Sequence, residues 1–274
     1  MDNKRILAIG AHPDDVEFMC AGTLFLMGRR GWEIHVASMS LGDCGSLEHS
    51  PDELCRIREG EARAACTVLG ASYHYIGFSD FCIYNDDRSN RKVTALLRDI
   101  DPAAVITHPP RDYMSDHEAT SLLVRNACFY GPVPNYHTGQ FSASPKASAI
   151  PCLYYAQPLE GKDILGNPIT PQFYVDVSDC IELKQKMLAC HESQRNWLRA
   201  HHGIDEYVDS MTRWGAVLAE RSSRASHKEI QFAEAFRQHL GHAYPQENVL
   251  GDALMDGVIF EPEYRATGWE RESG

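Results

Sequence analysis

Residues 11–15 read Ala-His-Pro-Asp-Asp, which places a histidine and two adjacent carboxylates within four positions. His12 and Asp15 are both side chains that a borderline divalent ion accepts as ligands. Asp14, between them, cannot easily face the same ion and is left as a spare carboxylate beside a metal. An ion that activates water and a base that takes its proton are together what metal-assisted hydrolysis requires. An acidic Mg2+ pocket on Asp14 and Asp15 is the plainer alternative, although imidazole suits zinc better than magnesium.

Such a turn works only when a rigid element presents it. The preceding run, Arg5-Ile-Leu-Ala-Ile-Gly10, is short and apolar and predicts a buried strand. Open α/β sheets collect ligands at strand ends of this kind. A helix is predicted over 23–30, closing at Gly31, and a second strand over 33–39. Ser50-Pro-Asp-Glu53 has the form of a capping box with proline at the first helical position. The helix it opens carries Leu54, Ile57, Ala65, Val68 and Leu69 on one face and ends at Gly70. A strand over 72–76 follows, then a helical stripe of Val93, Leu96, Leu97 and Ile100 halted by Asp101-Pro102, then a strand over 103–107. A second box, Ser115-Asp-His-Glu118, opens a helix bearing Leu122, Leu123, Ala127 and Tyr130.

This alternation predicts βαβ units around a mostly parallel sheet flanked by helices, an α/β fold. Residues 131–151, rich in Pro, Ser, Gly and Ala, read as a long loop. Strands over 152–156 and 173–177 follow, two or three helices fill about 179–240, and the tail to Gly274 reads as irregular. The expectation is one α/β domain over 1–274, its core at about 4–200, with a helical, loop-rich C-terminal third.

Hydrophobic residues at 43% and charged residues at 23% are ordinary for a globular chain of 274 residues. A net charge of -12 offers no basic face to nucleic acid and is repelled by an anionic membrane surface. No apolar stretch approaches the ~20 residues that span a bilayer. The start, Met-Asp-Asn-Lys-Arg, leads into a strand without signal-peptide anatomy. Nine scattered cysteines with no Cys-x-x-Cys pair fit reduced thiols, so a cytoplasmic location is expected.

His117 begins a helix just past the fourth predicted strand. Loops that follow parallel strands gather at one sheet edge, so His117 can meet His12 and Asp15 if the strand order allows it. Taken alone it would be a surface or capping residue. Two histidines, one carboxylate and an open position describe a catalytic zinc site. With these residues in view, the chain resembles the LmbE / PIG-L family of zinc-dependent N-deacetylases, which act mostly on N-acetylglucosamine-type amides. The resemblance rests on Ala-His-Pro-Asp-Asp15 with Glu17 and Ala-Gly-Thr23, and on Arg58-x-x-Glu61 with Ala65 and Leu69-Gly70. Gly77-Phe-x-Asp80, Thr107-His-Pro-Pro-x-Asp112 leading to Asp116-His117, and His191-x-Ser-Gln194 after Lys186 extend it over about residues 4–200.

The resemblance implies a Rossmann-like fold in which His12, Asp15 and His117 hold one zinc ion per chain. It implies Asp14 as general base, and Arg58 and Asp80 as substrate contacts. The implied reaction removes an N-acyl group, N-acetyl in most relatives, from an amino sugar or related conjugate. A zinc-bound water whose pKa falls toward ~7 is the nucleophile, with its proton passing to Asp14 and on to the departing amine.

One position departs from the family pattern. Many relatives carry a histidine three residues before the last ligand, where it stabilises the tetrahedral oxyanion, and here that place is Met114. Methionine donates no hydrogen bond, and losing one such donor costs on the order of 10²–10³ in rate where it is used. Tyr113, Arg111, a C-terminal histidine or the metal alone would have to substitute, and Asp116 loses its obvious partner.

Plainer readings stand beside these. Arg58 and Glu61 are one turn apart and could form an exposed helical ion pair of little worth. Asp112 would order its loop, His191 and Gln194 would brace the second half of the sheet, and His201-His202 would lie on the surface. Tyr136, Phe141, Tyr154, Tyr155 and Trp197 are core residues or flat faces for a ring, and Cys20 and Cys44 are packing residues. A zinc-dependent hydratase or lyase on the same scaffold is the alternative enzyme. A non-catalytic sugar-binding protein is the third reading, against which an intact Asp14 speaks. The expected partner is a small N-acylated molecule, and the 131–151 loop and the tail are segments that could cover the pocket or join copies into a homo-oligomer.

Overall fold

In the computed structural model the described residues are 3–142, 144, 146–202, 206–226 and 229–265. The chain runs β1 (Arg5–Gly10), α1 (Asp15–Met19), α2 (Ala21–Arg29), β2 (Glu33–Ser40), α3 (Pro51–Leu69) and β3 (Ser72–Phe78). It continues through α4 (Asp87–Ile100), β4 (Ala104–Thr107), α5 (Ser115–Tyr130), β5 (Cys152–Ala156), β6 (Phe173–Asp176), α6 (Ile181–Ala189) and α7 (Glu192–His202). It closes with α8 (Tyr207–Ser226), β7 (Ala233–Gln238), α9 (Val249–Leu254), β8 (Val258–Phe260) and α10 (Pro262–Arg265). The eight strands form one sheet in the order β3-β2-β1-β4-β5-β7-β6-β8. β3, β2, β1, β4 and β5 pair in parallel, whereas β7 is antiparallel to both β5 and β6, and β8 is antiparallel to β6.

The continuous apolar run of β1 follows from burial on both faces. Ile6 and Ala8 join one core cluster and Leu7 and Ile9 the other, with all four fully buried. The alternation of strands and helices up to α5 gives the expected α/β order, with three local corrections. The first helix is two, α1 and α2, broken at Cys20, and it starts at Asp15 rather than at 23. The box expected at Ser115–Glu118 does not form: α5 is capped by Met114, and Glu118 instead accepts from the Asp112 backbone N–H. The region expected to be only helical between 179 and 240 holds a strand, β7, and the tail carries α9, β8 and α10. The remainder of the tail and the side chains of His201 and His202 lie outside the described residues. Among the described residues no helix is long and apolar enough to cross a membrane.

Strand order creates the site. From β1 the chain builds outward through β2 to β3, then returns to lay β4 on the other side of β1. That reversal is a topological switch point, where the loops leaving two adjacent strands part and leave a crevice. The loops that follow β1 and β4 carry residues 11–15 and 108–117.

The antiparallel half is tied to the parallel half by a buried ion pair. Lys184 Nζ of α6 lies 2.6 Å from Glu234 Oε1 of β7. The same carboxylate accepts from the backbone N–H groups of Gly22 at 2.9 Å and Thr23 at 2.8 Å, in the first turn of α2. Removing one partner of such a pair leaves a buried charge uncompensated, at about 3–5 kcal/mol. Lys184→Met is therefore expected to lower the unfolding free energy by about 3 kcal/mol in urea titrations, and adding Glu234→Gln to recover part of it. A wild-type midpoint for Lys184→Met would contradict this.

Candidate active site

Two local features shape the turn after β1. A Cβ at Gly10 would stand 2.7 Å from Asp15 Cβ, so only glycine lets the strand end lie this close to the start of α1. Asp14 has φ 96° and ψ -26°, in left-handed space that aspartate tolerates better than most residues. Holding a non-glycine residue there costs roughly 1–3 kcal/mol and recurs at functional sites. With the backbone reversed at this residue, the two neighbouring carboxylates go to different surroundings.

Asp15 enters a cluster of histidines. Its Oδ2 accepts from the His12 backbone N–H at 2.7 Å and lies 3.0 Å from His108 Nε2. Oδ2 is 3.6 Å from His12 Nδ1, and Oδ1 is 3.5 Å from His117 Nε2. The rings of His108 and His117 stack with centroids 3.9 Å apart. Each candidate histidine ligand has its outer nitrogen against a carboxylate. His12 Nε2 is 3.0 Å from Asp80 Oδ1 and 3.3 Å from Asp116 Oδ2, and His117 Nδ1 is 2.9 Å from Asp112 Oδ1.

This donor set fits a zinc-type ion. One ligand atom from each of His12, Asp15 and His117 falls within 4.8 Å of the others. Tetrahedral bonds of about 2.0–2.1 Å would set neighbouring ligand atoms about 3.3–3.4 Å apart, close to the 3.6 Å from Asp15 Oδ2 to His12 and the 3.5 Å from its other oxygen to His117. Those separations are longer than hydrogen bonds, and the carboxylates behind each ring are the usual outer partners of metal-binding histidines. Burial works against charge on all three groups, yet Asp15 is held well below the usual carboxylate range by His117 and His108. His12 and His117 are raised, the first through Asp116, Asp15 and Asp80, the second through Asp15 and Asp112.

Asp14 faces the other way. Its Oδ2 accepts from the Tyr207 hydroxyl of α8, and it lines a cavity of about 550 Å³. Burial first, and then the charge of Asp15, push its carboxyl up to about 6. His191, Tyr207 and Arg58 oppose that rise. His108 and Tyr207 were not singled out from the sequence. The first stands in the Thr107-His-Pro-Pro string and offered that signal, whereas the second had none.

Other expected residues sort as follows. Arg58 is buried, lines the cavity and donates to Gly45 O at 3.1 Å and Gln194 Oε1 at 2.5 Å. It forms no ion pair with Glu61, which accepts from Ser193 N and Oγ. Asp80 lines the cavity but its carboxylate is turned to His12. Asp116 is not without a partner: besides His12, it accepts from the Phe81 backbone N–H at 2.9 Å. Asp112 both orders its loop, accepting from Met114 N, and holds His117. Of the five aromatics considered as flat faces, Trp197 lines the cavity, while Tyr154 and Tyr155 are core. Cys20 is packed as expected, but Cys44 is exposed at the cavity wall.

Residues 7–128 match the family model described as PIG-L: GlcNAc-PI de-N-acetylase. That segment belongs to the PIG-L family. The 4-oxalmesaconate hydratase of Pseudomonas putida is 23% identical over 243 residues, 85% of this chain and 88% of the relative. The diacetylchitobiose deacetylase of Thermococcus kodakarensis is 24% identical over 201 residues, 70% of this chain and 71% of the relative. Among solved structures, the 4-carboxy-2-hydroxymuconate hydratase of Pseudomonas putida superposes with a TM-score of 0.73 at 21% identity, covering 90% of this chain and 99% of that one. At that identity the likeness speaks for the fold. The PIG-L relatives are enzymes, deacetylases and a hydratase, and so is this chain.

Outside the PIG-L match, His191 reaches back under the turn. Its Nε2 lies 3.1 Å from Glu17 Oε1, and both side chains are buried. Burial opposes its charge, but Glu17 outweighs burial and raises its pKa above 6.5. A raised folded-state pKa gives stabilisation that is full below the unfolded value and is lost as pH rises through the folded one. The stability gap between wild type and His191→Gln, from urea unfolding at pH 5 to 9, should therefore shrink above pH 6.5. A gap independent of pH would contradict the pairing.

Proposed function

We propose that the protein is a metal-dependent N-acyl hydrolase that frees the amine of an amino sugar or related conjugate. One observation carries the reading: two adjacent carboxylates on the wall of one cavity are split, Asp15 into the His12 and His117 pair and Asp14 onto the Tyr207 hydroxyl. His12, Asp15 and His117 would hold one zinc ion, which when bound would supply Lewis acidity and lower the pKa of a water. Asp14 takes the proton of the attacking water at its cavity-facing carboxylate. A base with a pKa near 6 is ionised at neutral pH yet still able to give the proton back to the departing amine. The Tyr207 hydroxyl fixes the orientation of that carboxylate, and burial keeps the phenol neutral and a donor. Arg58 and Gln194 offer hydrogen bonds to the polar half of the substrate.

A second reading is a hydratase, and the broader overlap with the 4-oxalmesaconate hydratase favours it, as does Met114 in place of an oxyanion donor. The cavity favours the hydrolase. A polycarboxylate such as a carboxymuconate needs several available cations. Of the lysines and arginines among the described lining residues, Lys184 is paired with Glu234, which leaves Arg58. We further read the chain as one cytoplasmic domain, a location supported by nine free thiols.

The test is metal analysis with an acetate-release screen over N-acetylated amino sugars. Near one equivalent of zinc, amine release, and a 10²–10⁴-fold lower kcat in Asp14→Asn with metal content unchanged are expected, on the order of one general base. Loss of conjugated-acid absorbance without amine release would establish the hydratase instead. Less than about a tenth of an equivalent of transition metal, with no rescue by added zinc, would overturn the site.

A further inference from the structure

At about 550 Å³ the cavity is in the range that takes a whole drug-sized ligand, so an amino sugar and its acyl group would share it. Its two sides differ in chemistry. Arg58 and Gln194 give one side hydrogen-bonding groups, while Met211, Trp214 and Leu218 of α8 make the other apolar. Asp14 sits at the seam, bonded to Tyr207 of α8 and within the field of Arg58. The one ion pair on the apolar side, Lys184 with Glu234, is satisfied internally and asks for no charged ligand.

Gly215 also lines the cavity, inside α8, where glycine disfavours the helix relative to alanine. A Cβ there would be in ordinary contact with Phe232 Cδ1 at 3.6 Å and Ala233 O at 3.7 Å, so a methyl group fits and a longer side chain takes up cavity space. Opposite, β7 presents Ala233 and Ala235 to the same chamber, small residues on a strand face that ordinarily carries larger ones.

We propose that this α8-walled chamber is an acyl subsite, and that the amide cleaved carries an apolar acyl group much larger than acetyl. The proposal rests on the hydrolase reading and names its substrate class, an amphiphilic N-acylated amino sugar. The hydroxyl-bearing amine half lies on the Arg58 side and the acyl half under α8. The water oxygen bonds to the carbonyl carbon, the C–N bond breaks, and the products are the long-chain carboxylic acid and the free amine, which takes its proton from Asp14.

The test compares N-acetyl-, N-hexanoyl- and N-decanoylglucosamine. kcat/KM should climb about fourfold per added methylene until the chamber is filled, the scale of burying a CH2. Gly215→Leu, a substitution that favours the helix, should cut the decanoyl-to-acetyl ratio of kcat/KM at least tenfold while the unfolding midpoint holds or rises. Decyl glucoside, which has no amide bond, should alter the tryptophan fluorescence of wild type through Trp197 and Trp214 and not that of Gly215→Leu. Rates that are flat or falling along the series, with no fluorescence response, would overturn the subsite. Binding of decyl glucoside with no amide cleaved would support the chamber and count against the hydrolase reading instead.

Discussion

Asp15 can carry its charge into a nearly buried cluster because His12, His108 and His117 surround it, and much else in the molecule serves that arrangement. An isolated carboxylate at that depth would protonate rather than stay charged. The imidazoles hold it ionised, and two of them are held in turn on their outer nitrogens, His12 by Asp80 and Asp116 and His117 by Asp112. Charge thus alternates outward from the centre, carboxylate to imidazole to carboxylate. Asp14, one residue away, is kept out of this alternation by a left-handed backbone and by the tyrosine that holds it. Repulsion between neighbouring carboxylates becomes a difference in their basicity, with Asp15 held low and Asp14 pushed up.

The fold supplies two rigid frames for that centre. The parallel half delivers His12 from the turn after β1 and His117 from the first turn of α5, on either side of the switch point between β1 and β4. The antiparallel half brings α8 across the opening, and Glu234 at the start of α2 locks the two halves together, aided by the positive end of that helix. The register of one half against the other fixes how close Tyr207 comes to Asp14.

Most of what the sequence made legible was local. The apolar run of β1 and the helix stops at Gly70 and Asp101 are encoded within a few residues and read correctly, whereas the helix after β1 begins at Asp15 and not at 23. His117 was legible because its string of neighbours is distinctive. Asp80 and Asp116 were harder, since the direction of His12 Nε2 depends on three loops meeting. Tyr207 left no trace: its contact with Asp14 spans 193 residues. The strand Ala-Glu-Ala-Phe-Arg-Gln was hidden by its composition, which suits a helix as well as a strand. Its place between β5 and β6 comes from tertiary pairing that local preference does not announce.

The boundary of the family match has a consequence for how such proteins diversify. The match ends at residue 128, whereas α8 and β7, which wall the cavity, lie between 207 and 238. Asp14, Asp15 and the histidines around them thus lie in one stretch of the chain, and the helix and strand that wall the apolar side of the cavity lie in another. Replacements in the later stretch can reshape the cavity wall while the turn after β1 stays intact, so the two can drift at different rates.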